Sequence, residues 1–172
     1  MKKANIGMLA PLVAALAAGC ATTGGSPAAQ AELQPRSGSA VQGNVQFYPT
    51  AGGVRVEARV SGLTPGGHGF HVHEAGDCSA PDGSSAKGHF NPSAKPHGHH
   101  DSGEHHAGDM PNLVANAQGE ATYSAILPGR SLSGPEGLVG RSLIVHADPD
   151  DYTSQPAGNS GKRIAYGVIV AR

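Results

Sequence analysis

Ten histidines are present, and nine of them fall between His68 and His106. The tenth, His146, stands alone at the end of the apolar run Ser142-Leu-Ile-Val-His. Imidazole is a favoured ligand for zinc and copper, and a nearby carboxylate can complete such a set. His71 and His73 form a His-x-His pair, His106 and Asp109 a His-x-x-Asp pair, and His89 and His97 lie in the loop-like sequence between them. A polar ring closing an apolar stretch needs a partner, which makes His146 a further candidate ligand. His68 precedes the His-x-His pair and reads as a structural hydrogen-bonding residue. His99, His100 and His105 read as surface histidines of a loose metal-scavenging tract.

These residues need a scaffold that brings distant positions together. Gly69-Phe-His-Val-His73 alternates bulky apolar residues with histidine, the pattern of a strand. Successive side chains then face opposite ways, so Phe70 and Val72 enter a core while His71 and His73 project together, about 7 Å apart. Further strands are expected at Gln30–Pro35, Ala40–Tyr48, Val54–Ser61, Asn112–Ala115, Ala121–Leu127, Arg141–His146 and Ile164–Ala171, with Asn116–Gly119 as a hairpin turn. No helix is expected. Glycine (26) and proline (13) are abundant and aromatics number only seven, so short strands are punctuated by turns. Eight such strands predict an all-β, antiparallel barrel or sandwich. The segment between His73 and Asn112 is long for a small domain, and its spaced ligands argue for function.

The N-terminus is an export signal. Lys2 and Lys3 precede an apolar stretch from Ile6 to Ala18, too short for an ordinary membrane span. It ends at Ala17-Ala-Gly-Cys20, where a lipoprotein signal would place its lipid on Cys20. Cleavage after Ala29-Gln-Ala31 is the rival, and the Thr-Gly-Gly-Ser-Pro sequence after Cys20 favours the anchor. The expected organisation is a lipoprotein-type signal at 1–19, a flexible tether at 20–29 and one domain at 30–172. The whole chain carries a formal charge of −1, and removal of the two signal lysines gives −3 with no basic run. Nucleic acid is not an expected partner.

Five stretches carry a family resemblance: Gly69-Phe-His-Val-His-Glu74, Gly88-His-Phe-Asn-Pro92, His106-Ala-Gly-Asp109, Ile144-Val-His-Ala-Asp148 and Gly158-Asn-Ser-Gly-Lys-Arg163. Together they resemble copper/zinc superoxide dismutase of the bacterial type, across roughly Ala31 to Arg172. The resemblance implies an eight-stranded Greek-key barrel with long metal-binding and electrostatic loops. It implies copper, cycling between Cu(II) and Cu(I), on His71, His73, His89 and His146. It implies zinc on His89, His97, His106 and Asp109, with His89 shared, one ion of each per chain. Asp150 matches the family's outer carboxylate, which binds His71 and His97. By itself it would pass for an ordinary loop residue.

The implied reaction is dismutation of superoxide to dioxygen and hydrogen peroxide, with copper alternately reduced and reoxidised. His89 is the implied proton carrier and Arg163 the implied anion guide. Without its Gly-Asn-Ser-Gly-Lys context, Arg163 would read as a solvated surface charge. The chain departs from the family in one conspicuous place. The loop cysteine is Cys78, but Tyr166 stands where its disulfide partner is expected, leaving Cys78 a free thiol. Ala157 also stands where relatives often carry threonine. The implied location is the periplasm or cell envelope, lipid-anchored to a bacterial membrane, as a monomer or homodimer. The rival function is a non-catalytic copper/zinc-binding envelope lipoprotein, a metal chaperone or sponge; a retained Arg163 argues against it.

Overall fold

The computed structural model describes Met1 and residues 25–172. The expected signal segment and Cys20 therefore lie outside the described residues. The described residues form ten strands: β1 (Ala29–Pro35), β2 (Gln42–Thr50), β3 (Gly53–Ser61), β4 (Gly66–His68), β5 (Phe70–His73), β6 (Leu113–Ala115), β7 (Ala121–Pro128), β8 (Ser142–His146), β9 (Arg163–Val168) and β10 (Val170–Ala171). All ladders are antiparallel. The main sheet runs β5-β8-β9-β1-β2-β3-β7, with β10 added to β1, and β4 pairs with β6 separately. This is the all-β antiparallel architecture expected of the barrel class.

Period-two patterning explains how the sheet wraps its core. In β3, Val54, Val56, Ala58 and Val60 are buried while Arg55, Glu57 and Arg59 face outward or lie at the rim. Ala29, Ala31 and Leu33 do the same from β1, and Val45 and Phe47 from β2. Phe47, Phe70, Leu33, Met110, Leu113, Leu138, Leu143 and Ile169 are among the fully buried side chains at the centre. Full burial of one such residue contributes about 1.5–3 kcal/mol.

β5 and β8 differ from this pattern, since every residue in both is buried. Phe70, Val72, Leu143 and Val145 face the main core. The opposite face is covered by the loop that follows β5. That covering turns exposed strand histidines into buried ones.

Several expectations need correction. The turn Asn116–Gly119 does close, with Gly119 N–H donating to Asn116 O at 3.0 Å and Gly119 at φ 75°. It is not the tip of a hairpin: β6 ladders with β4, and β7 with β3. The expected last strand is two, β9 and β10, and the short β4 carried too little apolar pattern to be recognised. Among the described residues the one helical feature is a three-residue 3-10 turn at Ser84–Ala86, which leaves the all-β reading intact. β1 opens one residue before the expected Gln30, because Ala29 is fully buried and pairs with Phe47 and Ala171.

Candidate metal centre

His71 and His73 reach the centre from β5, and His146 from the end of β8. A register shift between Val145 and His146 breaks the regular alternation and re-aims the last side chain. The loop lies along the free edge of β5 through two isolated bridges, His71 with Asp109 and His73 with His89. Phe90 N–H donates to Val72 O at 2.8 Å, and Val72 N–H to Gly108 O at 2.9 Å. A Cβ on Gly108 would stand 2.1 Å from Val72 O, so only glycine permits this approach. Arg141 stacks its guanidinium 3.4 Å from the centre of the Phe90 ring and holds the loop from outside.

Two groups of donors result. His71, His73, His89 and His146 offer ligand atoms that all lie within 4.8 Å of one another, and so do His89, His97, His106 and Asp109. All of these residues are buried, none more than 8% exposed. His89 belongs to both groups.

The hydrogen bonds decide which nitrogens are free. His71 Nε2 donates to Asp150 Oδ2 at 2.7 Å, His73 Nδ1 to Lys87 O at 2.9 Å, and His146 Nδ1 to Gly161 O at 3.3 Å. The remaining atoms, His71 Nδ1, His73 Nε2, His89 Nε2 and His146 Nε2, are buried without a partner. Unpaired buried nitrogens are costly, and four converging lone pairs fit a bound metal ion. In the second group, Asp109 Oδ1 lies 2.8 Å from His89 Nδ1 and 3.3 Å from His106 Nδ1, while Oδ2 is 3.1 Å from His97 Nδ1. Donors around a tetrahedral ion with bonds near 2.1 Å stand about 3.4 Å apart, so this group also fits one.

Asp150 ties the two groups together. Its Oδ1 accepts from His97 Nε2 at 2.9 Å while Oδ2 holds His71. Asn112 clamps the Asp150 backbone from both sides, and Tyr152 N–H donates to Oδ1 at 2.7 Å. Gln155 grips the backbone of His97 in the same manner, accepting at Oε1 from its N–H and donating through Nε2 to its carbonyl. His68 supports His146 from behind, with Nδ1 2.8 Å from the His146 carbonyl. These supports, Asn112, Gln155 and the Lys87 carbonyl, are absent from the sequence reading because no residue-type signal marks them.

Charge follows the same plan. Burial holds His73 and His146 well below the usual imidazole range, with neighbouring imidazoles and Arg163 adding to it. Burial likewise brings His89 down to about 4 despite its bond to Asp109. His97 goes the other way: burial lowers it, but Asp109 and Asp150 raise it to about 9. Hydrogen bonds from His106, His89 and His97 outweigh burial and keep Asp109 ionised, and those from His71 and His97 do so for Asp150. The first group is therefore a set of neutral imidazoles and the second an anion-centred set. That difference matches a copper-type and a zinc-type environment.

Arg163 sits at the rim. Its Nη1 donates to Gly83 O at 2.5 Å and its Nη2 to Lys87 O at 2.6 Å. Among the described residues no carboxylate accepts a hydrogen bond from it, and it lines an open cleft with Lys162, Gly161, Ser84 and Asp82. Lys87 holds a left-handed φ of 63°, and its single carbonyl positions both Arg163 and His73.

Cys78 is exposed and free among the described residues. Tyr166 is only 2% exposed and packs with Ala86, Ile144 and Val168 in a small cluster beside the main core.

An antiparallel barrel of this topology joins a four-imidazole group to a three-imidazole, one-carboxylate group through a shared histidine, which offers two adjoining metal-type donor sets. The comparisons carry this further. A family model described as copper/zinc superoxide dismutase matches residues 41–169. A superoxide dismutase [Cu-Zn] of Deinococcus radiodurans is 39% identical over 86% of each chain. Superoxide dismutase [Cu-Zn] 2 of Aquifex aeolicus is 42% identical over 82% of this chain and 85% of its own. The crystal structure of the clock protein EA4 superimposes with a TM-score of 0.77 and 36% identity, over 86% of this chain and 97% of that one. The chain belongs to the copper/zinc superoxide dismutase family. It is an enzyme that uses copper and zinc to dismutate superoxide to dioxygen and hydrogen peroxide.

Proposed function

We propose that His71, His73, His89 and His146 hold the copper and that His89, His97, His106 and Asp109 hold the zinc. The observation that carries this division is the set of four partnerless nitrogens on one side of His89 and the Asp109-centred set on the other. Bound copper supplies a one-electron redox couple, and bound zinc a fixed positive charge behind the shared ring.

The chain's own groups do the remaining work. His71, His73 and His146 are oriented by Asp150, Lys87 O and Gly161 O, so their free nitrogens need no rearrangement to bind. His89 Nδ1 stays on the Asp109 side, and His89 Nε2 is the atom that takes up and releases one of the two protons the reaction consumes. Arg163 draws the anion toward the centre. Two of its N–H groups donate to the Gly83 and Lys87 carbonyls, which fixes the guanidinium in place and limits the entropy lost when an anion arrives.

Elemental analysis of the metal-replete protein is expected to give one copper and one zinc per chain. His89→Ala is expected to disturb both, whereas Asp109→Ala mainly weakens zinc. Zinc alone after copper reconstitution rules the assignment out.

Arg163→Ala is expected to lower kcat/KM by about tenfold and to flatten its ionic-strength dependence, because steered association is salt-sensitive. Copper content should hold. Wild-type rates with a wild-type salt slope would remove Arg163 from this role.

For location, we favour export to the periplasm with a lipid on Cys20. The rival cleavage after Ala31 would discard Ala29 and Gln30, which form the whole β1–β10 ladder, and Ala31, which is fully buried. An upstream cleavage site keeps β1 intact. Mass spectrometry of the mature N-terminus should show an acylated Cys20. An unmodified terminus at Glu32 contradicts it.

A further inference from the structure

Outside the two buried groups, the described residues assemble one more set of metal-type donors. His99, His100 and Asp101 each bring a donor atom within 4.8 Å of the others. His100 Nε2 lies 3.1 Å from Asp101 Oδ1, and His99 Nδ1 lies 3.8 Å from Asp101 Oδ2. Those separations bracket the roughly 3.4 Å expected between ligands of one tetrahedral ion.

The arrangement is built rather than incidental to a loose chain. Ser102 N–H donates to His99 O at 2.8 Å and closes a tight turn. Gly98 enters it where a Cβ would stand 2.4 Å from Glu104 O. Tyr152 meets the His99 ring edge-on at 4.6 Å between centroids, and its hydroxyl accepts from Asn112 N–H, within the clamp on Asp150.

Two features separate this set from the inner ones. Neither His99 nor His100 has a ring nitrogen hydrogen-bonded to an acceptor on a distant element, in contrast to His71, His73 and His97. The Asp101 side chain is 76% exposed. Ligands that are neither pinned nor dehydrated bind more weakly and exchange faster. A metal here displaces the 3.2 Å hydrogen bond from Asp101 N–H to His99 Nδ1 and the 3.1 Å contact between His100 Nε2 and Asp101 Oδ1.

We propose that His99, His100 and Asp101 form a third, surface site for a borderline divalent transition ion, held by two imidazoles, one carboxylate and water. The site collects the ion ahead of the buried group. The turn lies between His97 and His106 in the same loop, so an ion held there is concentrated beside the inner donors. This loading role rests on the reading of His89, His97, His106 and Asp109 as the zinc site.

The test uses the full mature protein and Zn2+ as probe. With both inner sites filled, calorimetric titration of the wild type should show a third, weaker zinc equivalent. The variant His99→Ala/His100→Ala/Asp101→Asn should lose that equivalent and retain one copper and one tight zinc by elemental analysis. His100→Ala alone serves where the triple variant fails to fold, and should weaken the third equivalent several-fold. Absence of a third equivalent in the wild type, or its persistence in the variants, overturns the site. Metal-free protein should then take zinc from a chromophoric chelator several-fold faster in the wild type than in the variant. Equal rates overturn the loading role while leaving the site. A wild type with no tight zinc at all, yet with the weak equivalent present, overturns the inner assignment and with it the loading role.

Discussion

Asp150→Ala should lower the affinity for zinc and for copper together, by about 10- to 100-fold each. Neither metal is expected to touch Asp150; its two oxygens hold His97 Nε2 at 2.9 Å and His71 Nε2 at 2.7 Å. Removing the carboxylate leaves two buried N–H groups without an acceptor, at a cost of about 1–3 kcal/mol each. It also frees both rings to rotate off their donor directions. Asp150→Asn is the sharper probe. Its carboxamide keeps one acceptor oxygen but turns an N–H2 toward the other ring's N–H, so one histidine is held and the other repelled. Competition with a chromophoric chelator measures both affinities. Unchanged values for both metals in Asp150→Ala would show that packing alone orients the rings. Gly158→Ala should reproduce the loss without removing the carboxylate, since its Cβ would fall 1.8 Å from Asp150 Oδ1.

How much of this was legible in the sequence depends on the kind of residue. Ligand types are few and their chemistry is narrow, so His71, His73, His89, His97, His106, Asp109 and His146 stand out by type and spacing alone. The structure brings all seven together. Strands with one buried face, such as β3, announce themselves by alternation. β4 and β10, of three and two residues, are defined by their ladder partners and carry no pattern of their own. The hairpin reading of Asn116–Gly119 failed for a related reason: a turn sequence fixes a reversal but not which strands pair beyond it. The orienting groups were hidden more deeply. The Lys87 carbonyl and the Asn112 amide act through backbone or through common polar side chains, and only three-dimensional proximity distinguishes them. Asp150 was found by resemblance, since a loop aspartate has no local mark.

Metal-free protein should melt well below the holoprotein, and the free Cys78 with Tyr166, the pair where the family resemblance implies a disulfide, offers a way to separate two sources of stability. A ligand present at a thousandfold its Kd stabilises the folded state by about 4 kcal/mol, so stripping two metals removes a large share of a marginal total. Nothing covalent among the described residues replaces it, because Cys78 is free and Tyr166 stands opposite. Tyr166 does compensate in part. It is buried with Ala86, Ile144 and Val168, the Arg36 guanidinium lies 5.3 Å from its ring centre, and its hydroxyl is buried without a hydrogen-bond partner. Tyr166→Cys therefore has two opposed effects in the apo protein. Truncating a buried aromatic costs about 3 kcal/mol where the site cannot collapse. A bridge to Cys78 would close a loop of about 88 residues, which the chain-entropy model values at roughly 4.6 kcal/mol. The exposed segment around Cys78 must also move inward to bond, which fills the space the ring leaves and reduces the truncation cost. The oxidised apo variant is thus expected to melt a few degrees above the apo wild type, at about 2–4 °C per kcal/mol for a domain of this size. The same variant under reducing conditions should melt below wild type, since only the cavity remains. Scanning calorimetry on both redox forms reads the two effects separately. If the bridged form melts no higher than wild type, the packing of Tyr166 already supplies as much stability as a bridge at this position would.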